Sequence, residues 1–265
     1  MGRRKRKKFK QFNFRLNPRF VWVGSFCLLA VILLSCLVYS IYSSSVFKLT
    51  EESIESDLPL SRSLREKIKG KSLFVVDIES ISSRLIREYP EYKEIYILRK
   101  FPSSLIIKAK KRKVFAQIKA RRFFPIDKEA IIINSGSKTP LPGVVSIEIS
   151  DYKHSFKKGK VVDDKRLDYA FSLIKTINLQ DFLDLAKIKL INSTKLDALY
   201  FIISNQAFAG GDDRGKDIKV IIGKDEFAKK IELLKGAMNQ QIKDKIDSVE
   251  YIDLRYKKVY VGFRR

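Results

Sequence analysis

The chain has little of what most active-site chemistry requires. Its 265 residues include two cysteines and one histidine. Both cysteines, Cys27 and Cys36, lie in one apolar run, which excludes a disulfide framework or a cysteine-ligated zinc site in the rest of the chain. The single His154 leaves one position for a histidine metal cluster or a Ser-His-Asp triad. Metal and triad chemistry are therefore poor hypotheses.

Acidic residues are also scarce, with 30 Asp and Glu against 54 Lys and Arg and a net charge of +24. Residues 1–19 carry nine basic side chains and no acidic one. Hydrophobic residues make up 45% of the chain, which is too many for a disordered polymer and too few for a polytopic membrane protein. The composition predicts a folded, basic protein of one or two domains.

A long uncharged run follows the basic tail. Residues 20–42 are almost wholly apolar, and as a helix they would rise about 34 Å, enough to cross a hydrocarbon core of about 30 Å. The positive-inside rule then places residues 1–19 in the cytoplasm and residues 48–265 outside it. The sequence predicts a single-pass, type II membrane protein with a transmembrane helix over residues 20–42.

Two other interpretations of this run compete with the anchor. A cleaved signal peptide has a shorter apolar core and a small-residue cleavage site, for which Ser43–Ser45 is a weak candidate. Leu33–Cys36 resembles a lipoprotein signal, but the run stays apolar beyond Cys36, where a lipoprotein would become polar. The basic tail could bind anionic lipid or nucleic acid, although a topology signal explains it more simply.

The patterns after the anchor predict an α+β fold in two modules. In residues 46–113 we expect a short strand at Phe47–Leu49, helices at Ser61–Ile68 and after Asp77, and two strands around Phe101–Ser104, giving the order β-α-α-β-β. Residues 114–265 predict a strand-rich β domain with two helices, at Asp163–Asn178 and Lys224–Ile242. Such a chain buries the helices on one face of a sheet.

Residues in both modules carry a resemblance. In the first, these are Gly70, Leu73, Phe74, Asp77, Arg99 and Pro102. Together they resemble a POTRA domain, in the version found in the bacterial cell-division family FtsQ/DivIB. The segments 217–224 and 251–256, the latter reading Tyr-Ile-Asp-Leu-Arg-Tyr, are similar to the closing part of that family. The chain departs from it in the opening strand and at Lys111–Val114, where the family tends to show Glu-Arg-x-Pro.

The resemblance implies a divisome scaffold that binds the small coiled-coil partners FtsB and FtsL. Carried over by position, the docking residues are Lys224, Arg255 and Tyr256. Lys224 stands where the family often has arginine, and a lysine lacks the planar two-bond contact of arginine. The resemblance further implies an inner-membrane protein of the division septum with an extracytoplasmic, periplasmic C-terminal part.

The last predicted strand, Lys257–Phe263, suggests how a partner would bind. A terminal strand often lies at a sheet edge, where its unpaired backbone groups can accept a strand from another chain. Lys258, Val259 and Tyr260 are therefore added to the predicted partner-binding residues, although core packing explains Val259 better.

No catalytic site is predicted. His154 and Ser155 are adjacent in sequence, which rarely suits a nucleophile and its base. Asp163–Asp164 and Asp212–Asp213 could bind a cation, but a helix start and a glycine-flanked turn explain them better. Gly210–Gly211 lacks the Gly-Lys-Ser/Thr of a phosphate loop. We therefore expect no enzyme activity, cofactor, metal or small-molecule substrate.

Two other functions compete with the divisome scaffold. One is a POTRA-bearing envelope assembly or secretion component, although such proteins often repeat the module or continue into a barrel. The other is a membrane-anchored protein that binds an anionic polymer through its excess positive charge, with affinity that falls steeply as salt rises. Nucleic-acid binding is disfavoured, because the basic surface would lie outside the cytoplasm.

Overall fold

The computed structural model describes residues 18–149, 156–181, 183–204 and 217–264. The chain divides into two compact units. Unit 1 consists of residues 1–78 and 96–108, and unit 2 of residues 79–95 and 109–265. The bounds 46–113 and 114–265 stay a prediction. The described part is a mixed fold with five α-helices and two sheets.

The first helix, α1, covers Pro18–Ser43 and belongs to unit 1. Its segment Trp22–Ser43, 22 residues long, has the length and composition to cross a membrane, and none of its residues is buried within the structure. The helix predicted over residues 20–42 is thus confirmed as a helix. The predicted basic tail, apart from Pro18 and Arg19, lies outside the described residues.

The next elements follow in the order strand, helix, helix, strand, strand. They are β1 (Ile54–Ser56), α2 (Arg62–Ile68), α3 (Ile78–Glu88), β2 (Tyr92–Lys100) and β3 (Ser104–Lys111). They include a three-stranded sheet of order β1-β3-β2, in which β1 runs parallel to β3 with Ile54 opposite Leu105. α3 and the first residues of β2 fall within unit 2.

The opening strand differs from the prediction. Phe47–Leu49 forms only an isolated bridge, between Lys48 and Ser72, and the sheet begins instead at Ile54–Ser56. This strand sits in a Glu- and Ser-rich stretch with one buried apolar side chain, Ile54, so period-two patterning cannot reveal it. Backbone pairing with β3 stabilises this strand, because its own residues have little strand propensity.

Unit 2 contains an eight-stranded mixed sheet. Its strands are β4 (Ala116–Lys119), β5 (Phe123–Ile126), β6 (Ser146–Glu148), β7 (Ile188–Asn192), β8 (Tyr200–Ile203), β9 (Ile218–Ile221), β10 (Val249–Asp253) and β11 (Tyr260–Phe263), in the order β11-β10-β9-β8-β7-β6-β4-β5. β6 is parallel to both β4 and β7, and β9 is parallel to β10, while the other pairs are antiparallel.

Two helices complete the core of unit 2. α4 (Lys165–Leu179) and α5 (Phe227–Ala237) contact each other and bury apolar side chains in the same cluster as the strands. The N-cap of α4 is Asp164, whose side chain accepts a 2.9 Å hydrogen bond from the Arg166 N–H. α5 is shorter than the predicted Lys224–Ile242, since it starts after Glu226 and gives way to a π-helical turn at Met238–Ile242.

One buried polar side chain fixes a loop of unit 2. Gln117 is fully buried in β4, and its amide donates to the carbonyl oxygens of Leu141 and Val144 at 3.3 and 3.0 Å. Its Oε1 accepts from the Leu141 N–H at 2.9 Å, and its Nε2 lies 3.2 Å from the Ser146 hydroxyl. Every hydrogen-bonding group of the amide is thus satisfied in the interior.

A second largely buried polar side chain, Arg112, joins Pro90 to the turn after β5, all within unit 2. The Arg112 side chain is 9% exposed and donates through Nε to the Pro90 carbonyl at 2.9 Å and through Nη1 to Asp127 Oδ2 at 2.5 Å. Asp127 Oδ1 accepts from the N–H groups of Glu129 and Ile131, each at 2.9 Å. The ion pair therefore holds two backbone segments in place.

Candidate partner-binding surface

The last strand lies at an edge of the eight-stranded sheet. β11 pairs with β10, and within the described residues no further strand pairs with it. The Arg264 N–H donates to the Ser248 carbonyl at 2.7 Å, so the backbone groups of Arg264 face β10. Since these groups alternate in direction, those of Val261 and Phe263 point away from β10. They form an open edge that can pair with another strand.

Three predicted residues lie together at the start of this strand. The rings of Tyr256 and Tyr260 meet edge to face, with centroids 5.5 Å apart and an interplanar angle of 82°. The Arg255 guanidinium carbon lies 5.6 Å from the Tyr256 centroid, a cation–π contact. Tyr256 and Tyr260 are 58% and 55% exposed, so both rings are available to a second protein.

Arg255 is held in place by its neighbour Asp253. Its Nε and Nη2 donate to the Asp253 carboxylate at 3.0 and 2.6 Å, and its own N–H donates to the same carboxylate at 3.0 Å. Burial opposes ionisation of Asp253, but the hydrogen bonds and charge of Arg255 outweigh it and lower the pKa of that carboxyl. The paired carboxylate raises the pKa of Arg255 in return. The guanidinium is thus a fixed cation at this surface.

The Asp253–Arg255 pair predicts a pH-dependent contribution to stability. Folding lowers the pKa of Asp253, so its contribution is present above the unfolded value of about 3.9 and is lost as pH falls through the folded value. Asp253→Asn should therefore be less stable than the wild type at neutral pH, and the difference should shrink in acid. Urea unfolding of both proteins between about pH 7 and pH 3 measures the difference in their free energies of unfolding.

The control for this titration is Asp197→Asn. The Asp197 side chain is 86% exposed and pairs with Lys224 at 2.8 Å, and such exposed pairs contribute little to stability. This variant should unfold at nearly the wild-type urea concentration throughout. A stability difference for Asp253→Asn that stayed constant with pH would contradict the assignment.

Lys224 lies at the same end of the sheet, directly after Gly223. Gly223 has a φ of +71° and lies beside Arg255, whose Cγ would be 3.5 Å from a Cβ at that position. The hydrogen bond and negative charge of Asp197 raise the pKa of Lys224, so its ammonium stays charged at neutral pH. The structure therefore brings Lys224, Arg255, Tyr256 and Tyr260 to one end of β9–β11.

Lys258 and Val259 line a groove between α5 and the turn before β11. Its volume is about 590 Å³, and its lining residues are Lys229, Glu232, Leu233, Gly236, Ala237, Lys257, Lys258 and Val259. Val259 is half-buried and packs against the core of unit 2, as its apolar character favours. Three lysines against one glutamate give the groove a positive rim over an apolar floor.

Sequence reasoning missed three residues of this surface. Leu233 of α5 is 37% exposed in the groove, and Phe263 of β11 is 47% exposed at the open edge. Tyr251 lies across Gly262 of the neighbouring strand, where any Cβ would collide with the tyrosine ring. The available signal was Gly262 itself, because glycine inside a strand often marks a close approach.

The motif residues predicted in unit 1 have structural contacts. Gly70 follows α2 with a φ of +77°, Leu73 is fully buried, and Asp77 directly precedes α3. Arg99 Nη2 donates to the Val76 carbonyl at 2.8 Å. Phe74 contacts Phe101, the residue before Pro102, with ring centroids 5.7 Å apart.

The remaining sequence candidates bear on catalysis and metal binding. His154, Ser155, Gly210–Gly211 and Asp212–Asp213 lie outside the described residues. Within the described ranges, no group of three or more His, Cys, Asp or Glu side chains could hold a metal ion. The chain matches no protein-family model and no curated protein sequence.

Proposed function

We propose that this chain is a membrane-anchored scaffold of the FtsQ/DivIB type, which binds a second protein by strand addition at β11 during bacterial cell division. The observation that carries the proposal is the open edge of β11 beside two exposed, mutually packed tyrosines. Backbone pairing along an edge supplies affinity, and neighbouring side chains supply specificity. Clustered, exposed aromatic residues are frequent anchors of interfaces.

The groove indicates the chemistry of the partner. Lys229, Lys257 and Lys258 outnumber Glu232 at its rim, while Leu233 and Val259 provide apolar contact. A partner segment that suits both features is a strand joined to an amphipathic helix with acidic side chains. FtsB/FtsL-like coiled-coil proteins are the partners that the family resemblance implies.

The membrane arrangement is part of the proposal. α1 anchors the chain once in the inner membrane with the basic residues 1–19 in the cytoplasm, and a POTRA-like domain and the β domain lie outside, in the periplasm. The scaffold performs no chemistry and binds no cofactor, small molecule or nucleic acid. Its work is to gather septal cell-wall synthesis at the division site.

Tyr256→Ala should weaken binding of an FtsB-like partner by about 2 kcal/mol, or roughly thirtyfold in Kd. The substitution removes an exposed ring that packs on Tyr260 and Arg255 and leaves both neighbours in place. A titration of the full chain in detergent with the partner's extracytoplasmic part measures the affinity. Tyr96→Ala, at a 52% exposed tyrosine of β2, is the matched control and should bind as the wild type does. Equal affinities for the Tyr256 and Tyr96 variants would contradict the site.

The role in division is tested in cells. A fluorescent fusion at the N-terminus should form a band at midcell, and depletion of the protein should give filamentous cells. A uniform envelope signal with normal division would contradict the divisome function and leave a POTRA-type assembly or secretion component as the hypothesis to test.

The net positive charge favours one further candidate, a membrane-anchored binder of anionic polymer. Affinity for such a polymer falls steeply as salt rises, because it depends on screened charges. Strand addition depends mainly on backbone hydrogen bonds and apolar contacts, with the groove lysines as a smaller charged part, so its affinity should change less. The two functions are separated by measuring, at increasing salt, the affinity of the full chain for an anionic polymer and for the FtsB-like partner.

A further inference from the structure

Four aromatic side chains form a continuous cluster where α1 ends. Tyr42 lies in the last turn of α1, Phe47 in the 3-10 turn that follows, and Phe74 and Phe101 in loops of unit 1. The Phe74 ring contacts the other three, with centroid distances of 5.3 Å to Tyr42, 5.2 Å to Phe47 and 5.7 Å to Phe101. We call these four residues the aromatic collar.

The backbone fixes the collar to the end of the helix. The Ser44 N–H donates to the Ser40 carbonyl at 3.0 Å, so the hydrogen bonding of α1 continues into the next turn. The Leu73 N–H then donates to the Phe47 carbonyl at 2.8 Å, and the Leu49 N–H to the Lys71 carbonyl at 3.0 Å. The helix is therefore joined to the folded part of unit 1 without a long linker.

The collar exposes apolar surface in a folded unit. Phe101 is 62% exposed, and Val46 and Val75, each adjacent in sequence to a collar residue, are 56% and 64% exposed. Contiguous exposed apolar side chains mark a surface that contacts a protein or a membrane. Within three positions of the collar, the chain has the basic residues Lys48, Lys71, Arg99 and Lys100 and the acidic residue Asp77.

We propose that the aromatic collar, with Val46 and Val75, rests in the headgroup region of the bilayer that α1 crosses, so that lipid holds unit 1 at a second contact. The proposal depends on the part of the proposed function that makes α1 a membrane span. The segment Trp22–Ser43 rises about 33 Å as a helix, so one end at a bilayer surface places the other at the opposite surface. Aromatic rings favour that interface, and basic side chains favour its anionic lipids.

The test uses the full chain in vesicles of phosphatidylcholine with a minority of phosphatidylglycerol. Trp22→Phe removes the one native tryptophan, and Phe101→Trp then places a single reporter in the collar. Its emission should be blue-shifted, and lipids brominated near the headgroup should quench it more strongly than lipids brominated near the chain end. Tyr96→Trp in the same Trp22→Phe background is the matched control. Tyr96 lies on β2, five residues before Phe101 and about 16 Å away along the chain, so a tryptophan there should show little quenching.

The outcomes separate the possible occupants of the collar. Quenching of the collar reporter that does not exceed quenching of the β2 reporter, in vesicles that carry the protein on flotation, would overturn the lipid contact. A blue-shifted collar reporter without lipid quenching would also overturn it, since another protein surface would then cover the collar. A chain that fails to float with the vesicles would contradict the membrane anchor itself, and with it the proposed function. No partner protein is present, so a failure of partner binding cannot affect these results.

Discussion

Replacing Arg112 with methionine should lower the free energy of unfolding of unit 2 by about 3–5 kcal/mol. Methionine keeps the length and apolar contacts of the side chain but removes the ion-pair partner of the Asp127 carboxylate, which is 8% exposed. It also removes the 2.9 Å hydrogen bond to the Pro90 carbonyl. Removing one member of a buried ion pair is costly because the remaining charge stays desolvated. Urea unfolding of the full chain in mild detergent, followed by circular dichroism, measures the loss.

Two further variants separate the charge from the shape of the side chain. Asp127→Asn added to Arg112→Met removes the buried charge and keeps an oxygen for the N–H groups of Glu129 and Ile131, so it should restore more than half of the loss. Arg62→Met, at a 93% exposed arginine paired with Glu66, should change stability by less than about 0.5 kcal/mol. The interpretation is wrong if the double variant is no more stable than Arg112→Met.

Phe263→Pro should weaken capture of an FtsB-like partner by about tenfold to a hundredfold. The Phe263 N–H points away from β10, as the Arg264–Ser248 hydrogen bond indicates, and proline has no N–H to offer an added strand. The pairing of β10 with β11 uses the groups on the opposite side of the strand and should persist. Proline is tolerated on an edge strand where its nitrogen faces solvent.

The matched control for the edge is Phe263→Ala, which keeps the N–H and removes the half-exposed ring. Its loss of affinity should be clearly smaller than that of the proline variant, and both should unfold near the wild-type temperature. Equal losses for the two variants would assign the effect to the ring instead of the backbone. Wild-type affinity in both would show that no strand pairs at this position.

The sequence predicted most of the regular elements. The continuous apolar run over residues 20–42 locates α1. The alternation of buried Ile95 and Ile97 with exposed side chains locates β2, because only one face of this strand is buried. The short apolar run Phe123–Ile126 forms β5. A second short apolar run, Ala130–Ile133, makes only isolated bridges, and Ala130 adopts a φ of +57°, which breaks a strand.

The features that the sequence did not predict depend on contacts between residues that are distant in the chain. β6 is three residues long and exists because β4 and β7 pair with it on both sides. Arg112 lies within a tetrapeptide whose only sequence signal is its departure from a family pattern, and its counter-charge, Asp127, lies fifteen positions away. At the candidate site, the tyrosines and the terminal strand were predicted, whereas the groove requires the packing of α5 beside the turn before β11.

The proposed capture of a partner by β11 at the division site can be detected by site-specific photocrosslinking in dividing cells. A photoreactive phenylalanine analogue at Tyr260 of the full chain should crosslink, on irradiation, to a single-pass coiled-coil protein of the FtsB/FtsL type. The same analogue at Leu179, a 75% exposed position at the end of α4, should give no such product. Absence of the coiled-coil adduct at position 260, or an equal yield at position 179, would show that β11 is not the binding site of such a partner.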